Sequence, residues 1–534
     1  MNSWKRALRE QSYSRRFIWK TAIAILLVGL ALGALVELAF KFNSRPSSHE
    51  LAMELMNPEF QYFDDSLRRS QRVPESLIDY LRAPGLAVED VIAIAPYITP
   101  YFNGVNQTRI SGALAQQFGN ETATLLGDSF IASSNPKGSS RERLELKASM
   151  EPPPRYANRL LGELEMNARR YSRAHPYFRR EGAFPEAERS RYLAVETLRR
   201  DERFDELNQL LDEPKYQVFR TPNIQLDLAT HQRDWWLVAK TLPIHMLSNI
   251  DWRMATIAGI AALVWAALLL RLGQVDSWLS QTSGLCGLAF IAGALSVGPT
   301  LFLVILQDAY VGYQPDGDLV STIAFFVGGV GLREESCKLL LFLPFAFYLA
   351  RKGNELDALI IASFVGLGFA AIENIGYFAQ SSALAAPARF LTANFFHIAL
   401  TGMGGLYLCR AIRNSNYNDF LYVFGIMIVV HGLYNTLLSL PQFQEGSFLA
   451  MIVFILLSMY YFRELNGLNA RSRPAHSLSF LFVSGLSLIL AALIVFQSSH
   501  IGLFTALKLI IPEVLGSVLI VFMFFREFNE ALGE

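Results

Sequence analysis

Ionisable and amide side chains interrupt four consecutive apolar segments in the second half of the chain. They are Glu334, Glu335 and Lys338, then Glu373 and Asn374, then Asn394 and His397, and finally His431 and Asn435. Charged groups inside a membrane are costly, so they are usually paired or functional. A carboxylate in an apolar pocket can take a proton from water, while His or Asn can orient the water, protonate a leaving amine or stabilise an oxyanion. These residue types are sufficient to hydrolyse a peptide bond.

Helical spacing refines this set. Glu334 and Lys338 are four residues apart and share a helix face, whereas Glu335 is rotated by about 100° from Glu334. We therefore expect at most one of the two acids to point at any single centre. His431 and Asn435 also share a face. Glycines occur beside these residues, as small residues do where membrane helices approach closely.

The absence of two known hydrolase motifs excludes some mechanisms but leaves three hypotheses. The sequence has no Gly-x-Ser-x-Gly nucleophile elbow and no His-Glu-x-x-His zinc motif. Water activated by glutamate, without a metal or other cofactor, is the first hypothesis. A zinc site formed by Glu373, His397 and His431, with Glu334 as an additional ligand, is the alternative. A proton-coupled transporter or sensor that relays protons through the same Glu and His also stays open, although the apolar half has no inverted repeat.

Four motifs in chain order carry a resemblance to a known family. Glu334-Glu335-x-x-Lys338, Glu373-Asn374, His397 and His431-x-x-x-Asn435 resemble the PrsW family of intramembrane proteases, which is related to the CAAX prenyl endopeptidases. The resemblance covers about residues 319–440. Lys338 stands where the prenyl endopeptidases have an Arg one position later, so prenylated substrates are not implied.

The resemblance implies a role for each residue of the motifs. Glu334 would be the general base, with Glu335 in support, while His397, His431 and Asn435 would bind water and the oxyanion. Glu373 completes the predicted catalytic set, and Lys338, Asn374 and Asn394 support it. The implied substrate is a membrane protein, such as an anti-sigma-like regulator, and the other implied partner is the lipid bilayer.

Composition sets the frame for these motifs. The chain has 534 residues, of which 52% are hydrophobic, which is too apolar for an ordinary soluble protein. Lys and Arg number 47, as do Asp and Glu, and the absence of a long basic tract excludes a nucleic-acid partner. We predict an all-α, polytopic membrane helix bundle of about ten spans, with a large extracytoplasmic helical domain between spans one and two.

Nine of the ten predicted spans lie after residue 252. The ten are the run that ends at Phe40 and the segments near 254–271, 284–306, 319–350, 356–379, 389–411, 419–440, 447–462, 478–497 and 501–525. Basic residues fall in alternate loops, so both termini are predicted on the cytoplasmic side of a bacterial inner membrane. Splitting 319–350 would reverse every later loop, and it is therefore kept as one span.

Five regions follow from these spans. They are a basic N-terminus with a signal anchor (1–40), an extracytoplasmic helical domain (41–251), spans two and three (252–318), the protease core (319–440) and the C-terminal spans (441–534). Gly182–Ala187 resembles the turn between helices of a tetratricopeptide repeat, but no second copy follows at a period of about 34 residues. We expect the 41–251 domain to select substrates or regulate the site.

Overall fold

The structure is a computed structural model, and it describes residues 3–43, 75–275, 277, 279–312, 318–439, 447–468, 476–528, 530, 532 and 533. The regular elements of these residues are helices. The chain divides into two compact units, the membrane unit formed by 1–40 and 242–534 and the polar unit formed by 41–241. The prediction of an all-α membrane helix bundle is confirmed, because the first unit is built from long apolar helices.

The described helices up to residue 248 are short, except for the second helix. In chain order they are α1 (Ser3–Gln11), α2 (Arg15–Asn43), α3 (Glu75–Leu81), α4 (Val88–Ala93), α5 (Ala95–Ile98), α6 (Gly104–Phe118), α7 (Asn120–Ser134), α8 (Ser139–Ala148), α9 (Ala157–Asn167), α10 (Tyr171–Glu181), α11 (Glu188–Arg200), α12 (Phe204–Asp212), α13 (Pro222–His231) and α14 (Trp235–Ser248). In the polar unit α10 packs against both α9 and α11, and Gly182 directly follows α10. Helices pack against their sequence neighbours here, as expected of helical hairpins.

The remaining helices belong to the membrane unit. They are α15 (Trp252–Leu272), α16 (Gln281–Val311), α17 (Leu319–Ala324), α18 (Leu332–Lys352), α19 (Glu355–Gln380), α20 (Ala386–Leu391), α21 (Ala393–Asn414), α22 (Asn418–Ser439), α23 (Ser447–Leu468), α24 (Leu478–Ile501), α25 (Leu503–Gly516) and α26 (Val518–Phe528). A π-helical segment, Phe325–Gly331, connects α17 to α18.

Nine of the ten predicted spans correspond to apolar helices. Eight segments of the described chain are long and apolar enough to cross a membrane, and the pair α25–α26, bent by 49°, is a ninth if it counts as one span. The tenth predicted span, 319–350, is formed by α17, the π segment and α18. Its composition is less apolar because α18 carries Arg333, Glu334, Glu335 and Lys338.

Helix α19 lies at the centre of the membrane unit because its glycines admit neighbouring backbones. A Cβ atom at Gly366 would lie 2.1 Å from the His397 carbonyl oxygen, and one at Gly368 would lie 2.0 Å from the Phe290 carbonyl oxygen. Real Cβ atoms cannot approach that closely, so only glycine permits these contacts. The backbone of α21 is thereby held against α19 at His397 itself.

The π segment packs against α22 in the same way. A Cβ atom at Gly432 would lie 2.4 Å from the Val327 Cα atom, and one at Gly331 would lie 2.7 Å from the Ile428 carbonyl oxygen. Single π-helical turns are rare and are frequently found at functional sites. Here the turn ends three residues before Glu334, and its glycine contacts hold α18 close to the His431 segment of α22.

Candidate active site

Both acids of α18 reach the same ammonium group. Lys338 is fully buried, and its Nζ atom donates a 2.8 Å hydrogen bond to Glu335 Oε1 and lies 3.5 Å from Glu334 Oε2. Both acids thus reach one ammonium group, although helix rotation separates them. The reason is the length of the side chains, since Lys and Glu together span the rotation that separates adjacent helix positions.

His431 links the α18 acids to α22. Its Nδ1–H group donates a 2.8 Å hydrogen bond to Glu335 Oε1, and its Nε2 atom lies 3.7 Å from Glu334 Oε2. Glu335 Oε2 also accepts a 3.4 Å hydrogen bond from the Thr401 hydroxyl. Glu335 is thus committed to Lys338, His431 and Thr401, and it acts as the group that orients the His431 ring.

His397 connects the same centre to α19. Its Nδ1 atom accepts a 2.9 Å hydrogen bond from Lys338 Nζ, and its Nε2–H group donates one of 3.0 Å to Glu373 Oε2. The ring centroids of His397 and His431 are 5.5 Å apart. Each imidazole therefore donates from one nitrogen to a carboxylate, which fixes its tautomer and leaves a lone pair on the other nitrogen.

Arg389 holds the side of this network that lies away from Lys338, and it is not among the site residues predicted from the sequence. Its guanidinium donates a 2.8 Å hydrogen bond to Glu373 Oε2 and a second one to Asn374 Oδ1, and it lies 3.7 Å from the Tyr377 ring centroid. The Trp265 indole N–H donates 2.8 Å to the Phe390 carbonyl and so fixes α20, which carries Arg389. An arginine at the end of the predicted span 389–411 was the signal that could have indicated it.

The three predicted Asn residues differ in their relation to the centre. Asn374 Nδ2 donates a 2.7 Å hydrogen bond to Asn394 Oδ1, so these two support Arg389 rather than contact the imidazoles. Asn435 lies one turn beyond His431 and is half-buried, and in the part of the chain that the structure describes its side chain has no hydrogen-bond partner. His431 and Asn435 therefore share a helix face, as predicted, but their side chains form no hydrogen bond in the described part of the chain.

The centre offers three metal-binding groups from three helices. Glu334, His397 and His431 are all buried, and one donor atom of each lies within 4.8 Å of the others. Glu334 Oε2 is buried without a hydrogen-bond partner, and a native protein rarely leaves such an acceptor unsatisfied. One carboxylate and two imidazoles form a common donor set of catalytic zinc sites. The residues present therefore fit a divalent metal, with Glu334 in the place that the zinc hypothesis gave to Glu373.

Glu373 has a different place in this arrangement. It accepts from the His397 Nε2–H group and from Arg389. A carboxylate that binds the far nitrogen of a metal-ligating histidine fixes the ring and raises its basicity. Glu335 has the same relation to His431. The centre is thus surrounded by two carboxylate–imidazole pairs, Glu373 with His397 and Glu335 with His431.

A bundle of membrane helices with a buried carboxylate–imidazole centre defines a polytopic membrane protein with a hydrolytic type of site. A family profile described as PrsW family intramembrane metalloprotease matches residues 281–461, which include every predicted site residue. The Protease PrsW of Oceanobacillus iheyensis is 30% identical over 152 residues, which are 28% of this chain and 68% of that protein. The chain belongs to the PrsW family. No solved structure matches it.

Family membership bears on several predictions. The chain is an intramembrane peptidase and an integral membrane protein whose substrates are membrane proteins. The hypothesis of a proton-coupled transporter or sensor finds no support in these relatives. The prediction of a metal-free site is likewise not supported, because the family is described as one of metalloproteases and the centre offers a Glu/His/His donor set. The relation to the CAAX prenyl endopeptidases stays a prediction.

Proposed function

We propose that this chain is a metal-dependent endopeptidase that cuts membrane proteins at the buried centre of α18, α21 and α22. The carrying observation is that Glu334 Oε2 is buried without a hydrogen-bond partner and faces the Nε2 atom of His431 at 3.7 Å. Glu334, His397 and His431 would hold the metal, with zinc as the expected ion. A bound zinc ion lowers the pKa of water and polarises a carbonyl group.

The side chains around the centre orient and neutralise the reacting groups. Glu335 fixes the His431 ring through Nδ1–H and directs Nε2 towards Glu334. Glu373 fixes the His397 ring through Nε2–H and directs Nδ1 inward, and Arg389 in turn holds Glu373. Glu334, Glu335, His397 and His431 are buried, so bulk water is excluded from the centre and the electrostatic interactions there are strengthened.

The cellular setting is part of the same proposal. Basic residues in alternate loops support a bacterial inner membrane location with both termini in the cytoplasm. Residues 41–251 would then be extracytoplasmic and would select substrates, of which an anti-sigma-like regulator is one candidate. Deletion of 45–230 is expected to change the set of proteins that are cut, and an unchanged set would contradict this role.

The test uses the full-length chain in proteoliposomes with a single-span membrane protein as substrate. Glu334→Gln and His431→Ala are expected to reduce cleavage by about 10³-fold or more and to lose the zinc that the wild-type protein retains. Glu464→Gln is the control, because Glu464 is a carboxylate of the same unit that is half-buried and pairs with Arg410 away from the centre. Its cleavage and zinc content should equal those of the wild type.

Two other outcomes would change the proposal. If strong chelators do not inhibit the wild-type protein and Glu334→Gln keeps its folding but not its activity, Glu334 activates water without a metal. If both variants cut as fast as the wild type, the centre is not the active site.

A further inference from the structure

Lys338 is the only cation whose charged group lies at the centre among the residues that the structure describes. Its Nζ atom lies 2.8 Å from Glu335 Oε1, 3.5 Å from Glu334 Oε2 and 2.9 Å from His397 Nδ1. The Lys338 Nζ atom also lies over the face of the Phe369 ring, 3.9 Å from the ring centroid. Two of these contacts are to Glu334 and His397, which are proposed metal ligands.

The Lys338 ammonium and a metal ion cannot both bind His397 Nδ1. A neutral imidazole has one lone pair, in the plane of the ring, and the other nitrogen carries the proton. Because Nε2–H donates to Glu373, the lone pair of His397 is on Nδ1, where the ammonium now donates. A zinc ion would need that lone pair at about 2.1 Å. Lys338 and a metal therefore compete for the same electron pair.

The charges lead to the same conclusion. Glu334 and Glu335 place two carboxylates in one buried pocket, and a buried carboxylate is stable only when it is paired. The Lys338 ammonium supplies that pairing in the arrangement observed, with Phe369 adding a cation–π contact. A divalent ion that entered beside this ammonium would meet a like charge at contact distance, which is strongly unfavourable at low dielectric.

We propose that the Lys338 ammonium and a divalent metal ion occupy the centre alternately, so that each excludes the other. Metal uptake then requires the Lys338 side chain to leave His397 Nδ1, and Lys338 keeps the two carboxylates paired whenever the metal is gone. This inference rests on the proposed function, because it concerns regulation of that same site. It makes Lys338 a determinant of metal affinity rather than a residue of the chemical step.

The test measures zinc affinity and not cleavage. Full-length proteins in detergent compete for zinc with a chromophoric chelator, and Lys338→Met is expected to bind zinc about tenfold or more tightly than the wild type, the size of effect that groups beside a metal commonly have. Lys352→Met is the matched control, since Lys352 ends the same helix and pairs with Asp357 outside the centre. Equal or weaker zinc binding by Lys338→Met would overturn the inference.

A second variant covers the case in which Lys338→Met does not fold without metal. Lys338→Arg keeps the positive charge but places a larger group against His397, and it is expected to weaken zinc binding by about tenfold. Unchanged affinity in Lys338→Arg, with an unchanged melting temperature, would contradict competition for the site. If the wild-type protein binds no zinc, the metal proposal itself fails, whereas normal wild-type binding with no effect at Lys338 overturns this inference alone.

Discussion

Two buried carboxylates, Glu165 in the polar unit and Glu334 in the membrane unit, are stabilised in opposite ways. Glu165 is 1% exposed and accepts ionic hydrogen bonds from both Arg141 and Arg170. Glu334 is 8% exposed, but its Oε2 atom has no hydrogen-bond partner. The first carboxylate is fully satisfied by hydrogen bonds, whereas the Oε2 atom of the second has only a longer ion pair with Lys338 Nζ at 3.5 Å.

The source of the partners explains the difference. Arg141 and Arg170 are 18% and 41% exposed, so they reach Glu165 from the surface and keep part of their charge in water. The partners of the membrane carboxylates, Lys338, His397 and His431, are themselves buried and are held by helix packing. An unsatisfied acceptor is costly in that setting, and a catalytic role is one of the reasons for which a native protein keeps one. The comparison therefore supports a structural role for Glu165 and the proposed metal-binding role for Glu334.

Gly432 provides the sharpest test of whether helix packing positions the membrane centre. In Gly432→Ala the new Cβ atom would lie 2.4 Å from Val327 Cα, so α22 must move away from the π segment and carry His431 with it. A displacement of about 1 Å can cost about 10²-fold in rate. We expect that loss in the cleavage of a single-span substrate.

Gly425→Ala is the control on the same helix. A Cβ atom at Gly425 meets nothing within 4 Å, and alanine stabilises a helix by about 0.5–1 kcal/mol relative to glycine. Cleavage should be unchanged and the melting temperature equal or slightly higher. Equal activities of the two variants would mean that the glycine contact does not position His431.

The sequence predicted the helix bundle and most of the residues that meet at its centre. It did so because charges in apolar segments are few, and Glu334, Glu373, His397 and His431 are conspicuous there. It could not predict how the side chains pair. Helix rotation alone separated Glu334 from Glu335, whereas both acids reach Lys338 through their flexible side chains.

The contacts between helices were equally beyond the sequence. A run of glycines indicates close approach, but it does not say that Gly366 faces the His397 carbonyl or that Gly432 faces Val327. Arg389 was missed for the same reason, since its role depends on α20 bringing it to Glu373. Arg389 and Glu373 are 16 positions apart in the sequence, and only the three-dimensional structure shows that they form an ion pair.

Arg389 tests how much the outer network contributes to the centre. It touches Glu373 and Asn374 rather than the proposed metal ligands, so it is a positioning residue that acts through His397. Arg389→Met is expected to reduce kcat by about tenfold, in the range found for groups behind metal ligands, and to weaken zinc retention with KM unchanged. Arg389→Lys should restore part of both, because it keeps a donor to Glu373. A change in KM alone would instead place Arg389 in substrate binding.

The smallest effect is expected at Glu165, where pH separates pairing from function. Burial alone would raise the pKa of Glu165, but the ionic hydrogen bonds from Arg170 and Arg141 outweigh it, and the pKa lies below the ordinary value of 4.5. The folded chain then binds fewer protons than the unfolded chain near that pH, so this contribution to stability is complete above about pH 4.5 and is lost as pH falls through the lower, folded-state pKa. Hydrogen exchange of α8 and α9 in the full-length protein should accelerate on acidification beyond its intrinsic pH dependence, and Glu165→Gln should remove that excess. Cleavage at neutral pH should be unaffected by Glu165→Gln, and a loss of activity there would show that the two carboxylates are not divided between structure and chemistry.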